Sequence, residues 1–144
     1  MRKSLLIAAA VFLFAAAASA ETVADENAAK ELTDKIMTNV GTGDLGAAFN
    51  RMKPYVPISP TEIDNAAVKS KALRAQYGER YGKSEGFEFV DSKKVGNSLL
   101  RLRYIEKTEN HALPWIFYFY KTQEGWVLNS FDWNDIYKSF FENN

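Results

Sequence analysis

One ribbon narrows the folds open to this chain: Trp115-Ile-Phe-Tyr-Phe-Tyr-Lys-Thr-Gln-Glu-Gly-Trp-Val-Leu-Asn-Ser-Phe-Asp-Trp133. Eight of its 19 residues are aromatic. Polar Thr122-Gln-Glu-Gly125 divides two apolar runs, the pattern of a β-hairpin with a four-residue loop. Counting outward from that loop, Lys121 faces Trp126, Phe119 faces Leu128, Phe117 faces Ser130 and Trp115 faces Asp132. Side chains alternate along a strand, so these residues share one face. The other face carries Ile116, Tyr118 and Tyr120 against Phe131, Asn129 and Val127, with Trp133 beyond. Both sides are apolar, whereas an antiparallel hairpin usually turns one polar side to water. The alternation therefore predicts a cover on each side. A slip of one residue would exchange every partner and face.

The first 20 residues read as a leader to be removed: Arg2 and Lys3, an apolar run from Leu5 to Ala17, then Ala18-Ser19-Ala20 before Glu21. The run is short for a spanning helix, which takes about 20 apolar residues. No cysteine follows it, which excludes a lipid-anchored lipoprotein. The expected product is a single α+β domain, residues 21–144, periplasmic or secreted, with no membrane attachment after cleavage. Without Arg2 and Lys3 the chain has 16 basic and 18 acidic residues. That balance offers no electrostatic handle for nucleic acid. With no cysteine, disulfides cannot hold the fold, so stability rests on burial.

Glu21 to Glu26 reads as a frayed polar start. Asp25 is a suitable cap for a helix with Ala28, Leu32, Ile36 and Val40 in register, Ala29 and Met37 beside them, and Gly41 at its end. Asp44 caps a second helix, with Leu45, Ala48, Phe49 and Met52 on one face. Pro54-Tyr-Val-Pro-Ile58 reads as extended. Ser59-Pro60-Thr61-Glu62 is a capping box that opens a third helix. Its stripe is Ile63, Ala66, Ala67, Ser70, Leu73 and Tyr77, and its end falls at Gly78 rather than Gly82.

From Gly86 the period becomes two. Phe87 and Phe89 share one face of a first strand, and Val95 to Ser98 is a turn. Leu99 to Lys107 is the second strand, with Leu100, Leu102 and Tyr104 on one side and Arg101 and Arg103 on the other. Pro114 opens the third strand, where a missing donor is tolerated. Asn134 or Asp135 caps a last helical turn. Three helices followed by a four-stranded antiparallel meander predict an α+β domain, with helices on one face of a curved sheet.

This order, with Tyr77-Gly78 closing the third helix and Trp115-x-Phe-Tyr-Phe-Tyr followed by Gly125-Trp126-Val-Leu-x-x-Phe131, resembles the nuclear transport factor 2-like superfamily. The resemblance implies a cone-like roll, a curved sheet wrapped round helices. The superfamily includes ketosteroid isomerases, which use an aspartate base with a tyrosine and a protonated acid. None of their catalytic residues aligns with a position here. Exported members of this kind are largely without known activity.

Several features look chemical and have plainer readings. Gly41-Thr-Gly-Asp-Leu-Gly46 matches G-x-G-x-x-G, but a helix precedes it where a dinucleotide site needs a strand. His111 is the lone histidine, without a nucleophile, an orienting acid or a second ligand nearby in sequence, which favours a surface role. No metal or cofactor is expected. Asp132, set among Trp115, Phe117 and Trp126 by the counted pairing, could be an acid–base group in an apolar pocket. Pairing with Arg101 or Arg103 is the plainer reading. Trp115, Phe117, Trp126, Ser130, Asp132 and Tyr104 form the candidate pocket for a small apolar ligand. Arg101, Arg103, Tyr118, Tyr120 and Asn129 form a candidate interface for a homodimer through the sheet. The expectation is a non-enzymatic binding domain, set against a small isomerase or dehydratase using Asp132 and against an envelope protein-interaction module.

Overall fold

A computed structural model describes residues 19–142. The leader reading falls on residues 1–20, of which only Ser19 and Ala20 lie within the described part. Three helices, α1 (Glu26–Gly41), α2 (Leu45–Met52) and α3 (Pro60–Tyr81), precede four strands, β1 (Ser84–Val95), β2 (Leu99–Thr108), β3 (Ala112–Lys121) and β4 (Trp126–Trp133). The strands form one antiparallel sheet in chain order. This is the α+β arrangement that the element order and the resemblance both implied.

The caps act as the sequence implied. Asp25 accepts from the Ala28 N–H, and Asp44 from the Ala47 N–H. Ser59 and Glu62 close the capping box in both directions. α3 runs past Gly78 to Gly82, whose φ is +76°. The extra turn buries Tyr81, a gain the helical stripe alone did not reveal. Gly41 also differs from the sequence reading. It is the last helical residue, and the positive φ belongs to Gly43. Gly41 is small because a Cβ there would stand 2.9 Å from the Gly86 Cα. Between α1 and α3, Pro54 lies in a 3-10 turn, Lys53–Tyr55, where an extended run was expected.

Two register shifts bend β1, between Ser84 and Gly86 and between Phe89 and Asp91. Each adds one residue to β1, which increases the local twist and curves the sheet round α1. A third shift decides the hairpin. Lys121↔Trp126, Tyr120↔Val127 and Phe119↔Leu128 pair as counted, and then the register slips so that Tyr118 faces Ser130. Asn129 is the extra residue. Beyond it Phe117 faces Phe131, Ile116 faces Asp132 and Trp115 faces Trp133. The expected pairs Phe117–Ser130 and Trp115–Asp132 are thus corrected. The bulge turns Phe131 and Trp133 toward the core and turns Asp132 away from it.

The space between helices and sheet is packed with side chains. Tyr104, Trp115 and Phe117 meet Ile36, Met37 and Val40 of α1 and Met52 of α2, all fully buried. Phe49 sets its ring edge against Phe131, centroids 5.5 Å apart. Tyr104 ends in a polar knot. Its hydroxyl donates to Asp34 at 2.7 Å and lies 2.7 Å from the Thr33 hydroxyl. Burial, more than these bonds, pushes its ionisation above the ordinary phenol range.

The start of the described chain is pinned, not frayed. Val23 exchanges both backbone hydrogen bonds with Trp126, each 2.9 Å, and the Glu21 N–H donates to the Pro54 carbonyl at 2.7 Å. At the other end the chain turns back onto the outer side of the sheet. The Asn134 N–H donates to the Pro114 carbonyl, Asn134 Oδ1 accepts from the Ile136 N–H, and the Phe140 ring lies 5.0 Å from the Arg103 guanidinium. A 3-10 turn, Tyr137–Phe141, takes the place of the expected helical turn.

Candidate functional site

A cleft of about 350 Å³ opens at one end of the cone. Its walls are the α1–α2 connection (Thr42, Gly43), the end of α3 (Gly78, Tyr81, Gly82) and the start of β1 (Lys83, Ser84). Its floor is Arg74 of α3 and Glu106 of β2. Glu106 follows Leu100, Leu102 and Tyr104 on the inward register of β2 and is fully buried. Arg74 meets it with a two-pronged contact: Nη1 donates to Oε2 at 2.8 Å and Nη2 to Oε1 at 2.5 Å. The Trp115 indole N–H donates a third bond to Oε2 at 2.9 Å. A buried carboxylate needs this density of donors, because an unpaired charge in a low-dielectric interior costs several kcal/mol, on the order of 3–5. Trp133 backs the arginine, its ring 5.3 Å from the guanidinium, and its own N–H donates to Ser70.

The arginine is only partly used. A guanidinium carries five N–H donors, and two of Arg74's go to Glu106. The other three have no acceptor among the described residues, and the side chain borders the cleft. The cleft is therefore a place for a hydrogen-bond acceptor. It is not a place for a free base, since Glu106 already accepts from three donors.

This pair was missed in the sequence, though half of it was visible. Glu106 stands where the alternation of Leu100, Leu102 and Tyr104 points next, so an inward acid was readable. Arg74 was hidden by the choice of Leu73 for the stripe. Leu73 is exposed, and the inward positions are Ile63, Ala67, Ser70 and Arg74.

The residues singled out from sequence divide between the two sides of the sheet. Trp115, Phe117, Trp126 and Tyr104 are buried inside the core and fill the place assigned to an apolar ligand. Ser130 and Asp132 are exposed on the outer face, away from them. Asp132 touches Asn134, and no arginine among the described residues pairs with it. The acid–base role considered for it loses its apolar pocket. Arg101, Arg103, Tyr118 and Tyr120 do share the outer face, and Asn129, the bulge residue, is exposed beside them. Arg103 is bound to Asp91 on both carboxylate oxygens, which holds the Asp91 carboxyl below its usual range. Tyr118 and Tyr120 are 40% and 47% exposed, so the outer face asks for less cover than the alternation suggested.

His111 has partners that only the fold supplies. Its ring stacks on Tyr81 at 5.1 Å, its Nε2 lies 3.0 Å from the Asp135 carbonyl, and Tyr137 meets its edge. The Tyr81 hydroxyl donates to the Asp135 carboxylate at 2.8 Å. Burial first, and then that bond, raise the Tyr81 ionisation. The cluster ties the C-terminal turn to the end of α3. Among the described residues no group of three or more His, Cys, Asp or Glu is placed to hold a metal ion. No helix there is long and apolar enough to cross a membrane.

No protein-family model matches the sequence, and no curated protein matches it. Among solved structures the chain is similar to a "Putative NTF2-like transpeptidase" of Campylobacter jejuni, at 12% identity and TM-score 0.48, over 71% of this chain and 97% of that one. It is also similar to a DUF4783 family protein of Bacteroides uniformis, at 12% identity and TM-score 0.42, over 69% of this chain and 93% of that one. At this identity neither likeness bears on chemistry.

Proposed function

We propose that this chain is an exported, non-enzymatic binding domain that holds a small acceptor-bearing molecule, such as a carboxylate or amide, in the cleft above Arg74 and Glu106. The observation that carries this is the set of three unused guanidinium donors at the cleft floor. Against catalysis stand the engagement of both Glu106 oxygens by Arg74 and Trp115 and the exposed place of Asp132 on the far face. The leader-like residues 1–20 support export.

Gly78 offers a clean test. It lines the cleft, and a Cβ added there meets nothing within 4 Å. Trp115 and Trp133 lie beside the floor and report on it. A panel of short carboxylates and amides is expected to give a saturable change in tryptophan emission, and Gly78→Leu is expected to abolish it. The same variant should keep or raise stability, because glycine inside a helix costs about 0.5–1 kcal/mol relative to alanine. No saturable response across the panel, or unchanged binding by Gly78→Leu, defeats the reading.

A second reading concerns the outer face. Arg101 Nε is buried there without a hydrogen-bond partner. Beside it Leu99, Tyr118 and Tyr120 are exposed, an apolar patch that pairing with a second copy of the chain would cover. Light scattering should then give twice the protomer mass, and Tyr118→Asp should lower it. A single-copy mass at micromolar concentration counts against pairing.

A further inference from the structure

We propose that leader removal and docking of the new amino terminus are ordered: the Ala20–Glu21 bond is cut only while residues 21–24 are undocked, and the fold then seals them in place. This rests on reading residues 1–20 as a cleaved leader.

Glu21 is bonded to the domain through its N–H, which donates to the Pro54 carbonyl at 2.7 Å. Thr22 Oγ1 donates to the Glu124 carbonyl at 3.3 Å. Val23 forms a two-bond antiparallel bridge with Trp126, and its side chain packs against the core. The hairpin loop is shaped to receive this strap. Gly125 has φ +143°, and a Cβ there would stand 2.8 Å from the Val23 carbonyl oxygen. Each of the three residues after the scissile bond is thus hydrogen-bonded to the domain, Val23 through a two-bond β-bridge, with no slack residue between bond and strap.

A peptidase that takes its substrate as an extended strand must pair with the same backbone groups. The Glu21 N–H and both backbone groups of Val23 are already engaged. Cleavage therefore follows the population in which the strap has opened. In the step itself, water adds to the Ala20 carbonyl carbon and the C–N bond breaks. Ala20 departs as a carboxylate carrying the water oxygen, and the Glu21 nitrogen takes both protons of that water to become an ammonium. That ammonium can donate to the Pro54 carbonyl a charge-assisted bond, stronger than the amide's.

The test uses the full-length precursor, leader intact, folded in detergent micelles and incubated with purified signal peptidase. Its cleavage rate is compared with that of a folded precursor carrying Gly-Ser-Gly-Ser inserted between Ala20 and Glu21, which leaves the strap docked and the bond free. The native precursor is expected to be cut at least about tenfold more slowly than the insertion variant, as protection by local structure predicts. Gly125→Val, which unseats the strap without touching the leader, should also speed cleavage. Equal rates for native and insertion precursors overturn the ordering. N-terminal sequencing of exported protein separates the two premises: a first residue other than Glu21 removes the leader reading, whereas Glu21 with equal rates removes only the ordering.

Discussion

Replacing Arg74 by methionine is expected to lower the unfolding free energy by ~3–5 kcal/mol in urea denaturation. Glu106 is fully buried and receives two of its three hydrogen bonds from this arginine. Methionine fills much of the same volume but supplies no donor. Only the Trp115 indole N–H then remains for the carboxylate. The penalty comes from the stranded charge more than from the lost attraction, and a double substitution separates the two. Arg74→Met with Glu106→Leu removes both charges, and a buried ion pair replaced by apolar groups is often neutral or better. The double variant should therefore be more stable than Arg74→Met alone. It should still fall short of the parent by about 1–3 kcal/mol if the Trp115 N–H finds no new acceptor. A loss below about 1 kcal/mol in Arg74→Met would mean that water reaches Glu106, and the cleft floor would have to be redrawn. The cleft reading predicts a further effect, since both variants lose the donors proposed to hold a ligand.

Deleting Asn129 is expected to be comparably damaging, for a reason of register. Without the bulge the pairing counted from the loop would continue to the end of β4. Ser130 and Asp132 would turn into the core, and Phe131 and Trp133 would turn to the outer face. Fully burying a large apolar side chain is worth about 1.5–3 kcal/mol. Phe131 and Trp133 are part-buried, so their exposure together costs roughly 3 kcal/mol. An inward Asp132 adds to that. Trp133 would also lose its contacts to Ser70 and Arg74, so its emission should shift to the red. Asn129→Ala keeps the residue count and the bulge, and should stay within about 1 kcal/mol of the parent. A deletion variant as stable as Asn129→Ala, with unshifted emission, would refute the register.

These two expectations also mark where sequence reading stopped. The hairpin loop was legible because turn chemistry and aromatic density are local. The three registered pairs next to the loop followed from it. The fourth did not, because Asn129 is one polar residue in a run that already contains Ser130, and a bulge carries no composition of its own. From that point the two faces of β4 exchange, which is why the pairing counted from the loop places Asp132 in a pocket. The outward set Arg101, Arg103, Tyr118 and Tyr120 survived, since it lies on strands whose mutual pairing has no slip.

By itself the sequence determined the elements: the capped helices at Asp25, Asp44 and Ser59, the change of period after Gly86, and the inward line Leu100, Leu102 and Tyr104 that leads to Glu106. Each depends on residues within a few positions of one another, where propensity and periodicity operate. The tertiary structure decided what those elements hold. Arg74 reaches Glu106 from 32 residues away, Val23 closes on Trp126, and Asp135 returns to Tyr81 and His111. A buried charge or an open strand edge specifies only that a partner must exist. Which group fills that need depends on how the chain is folded back in space.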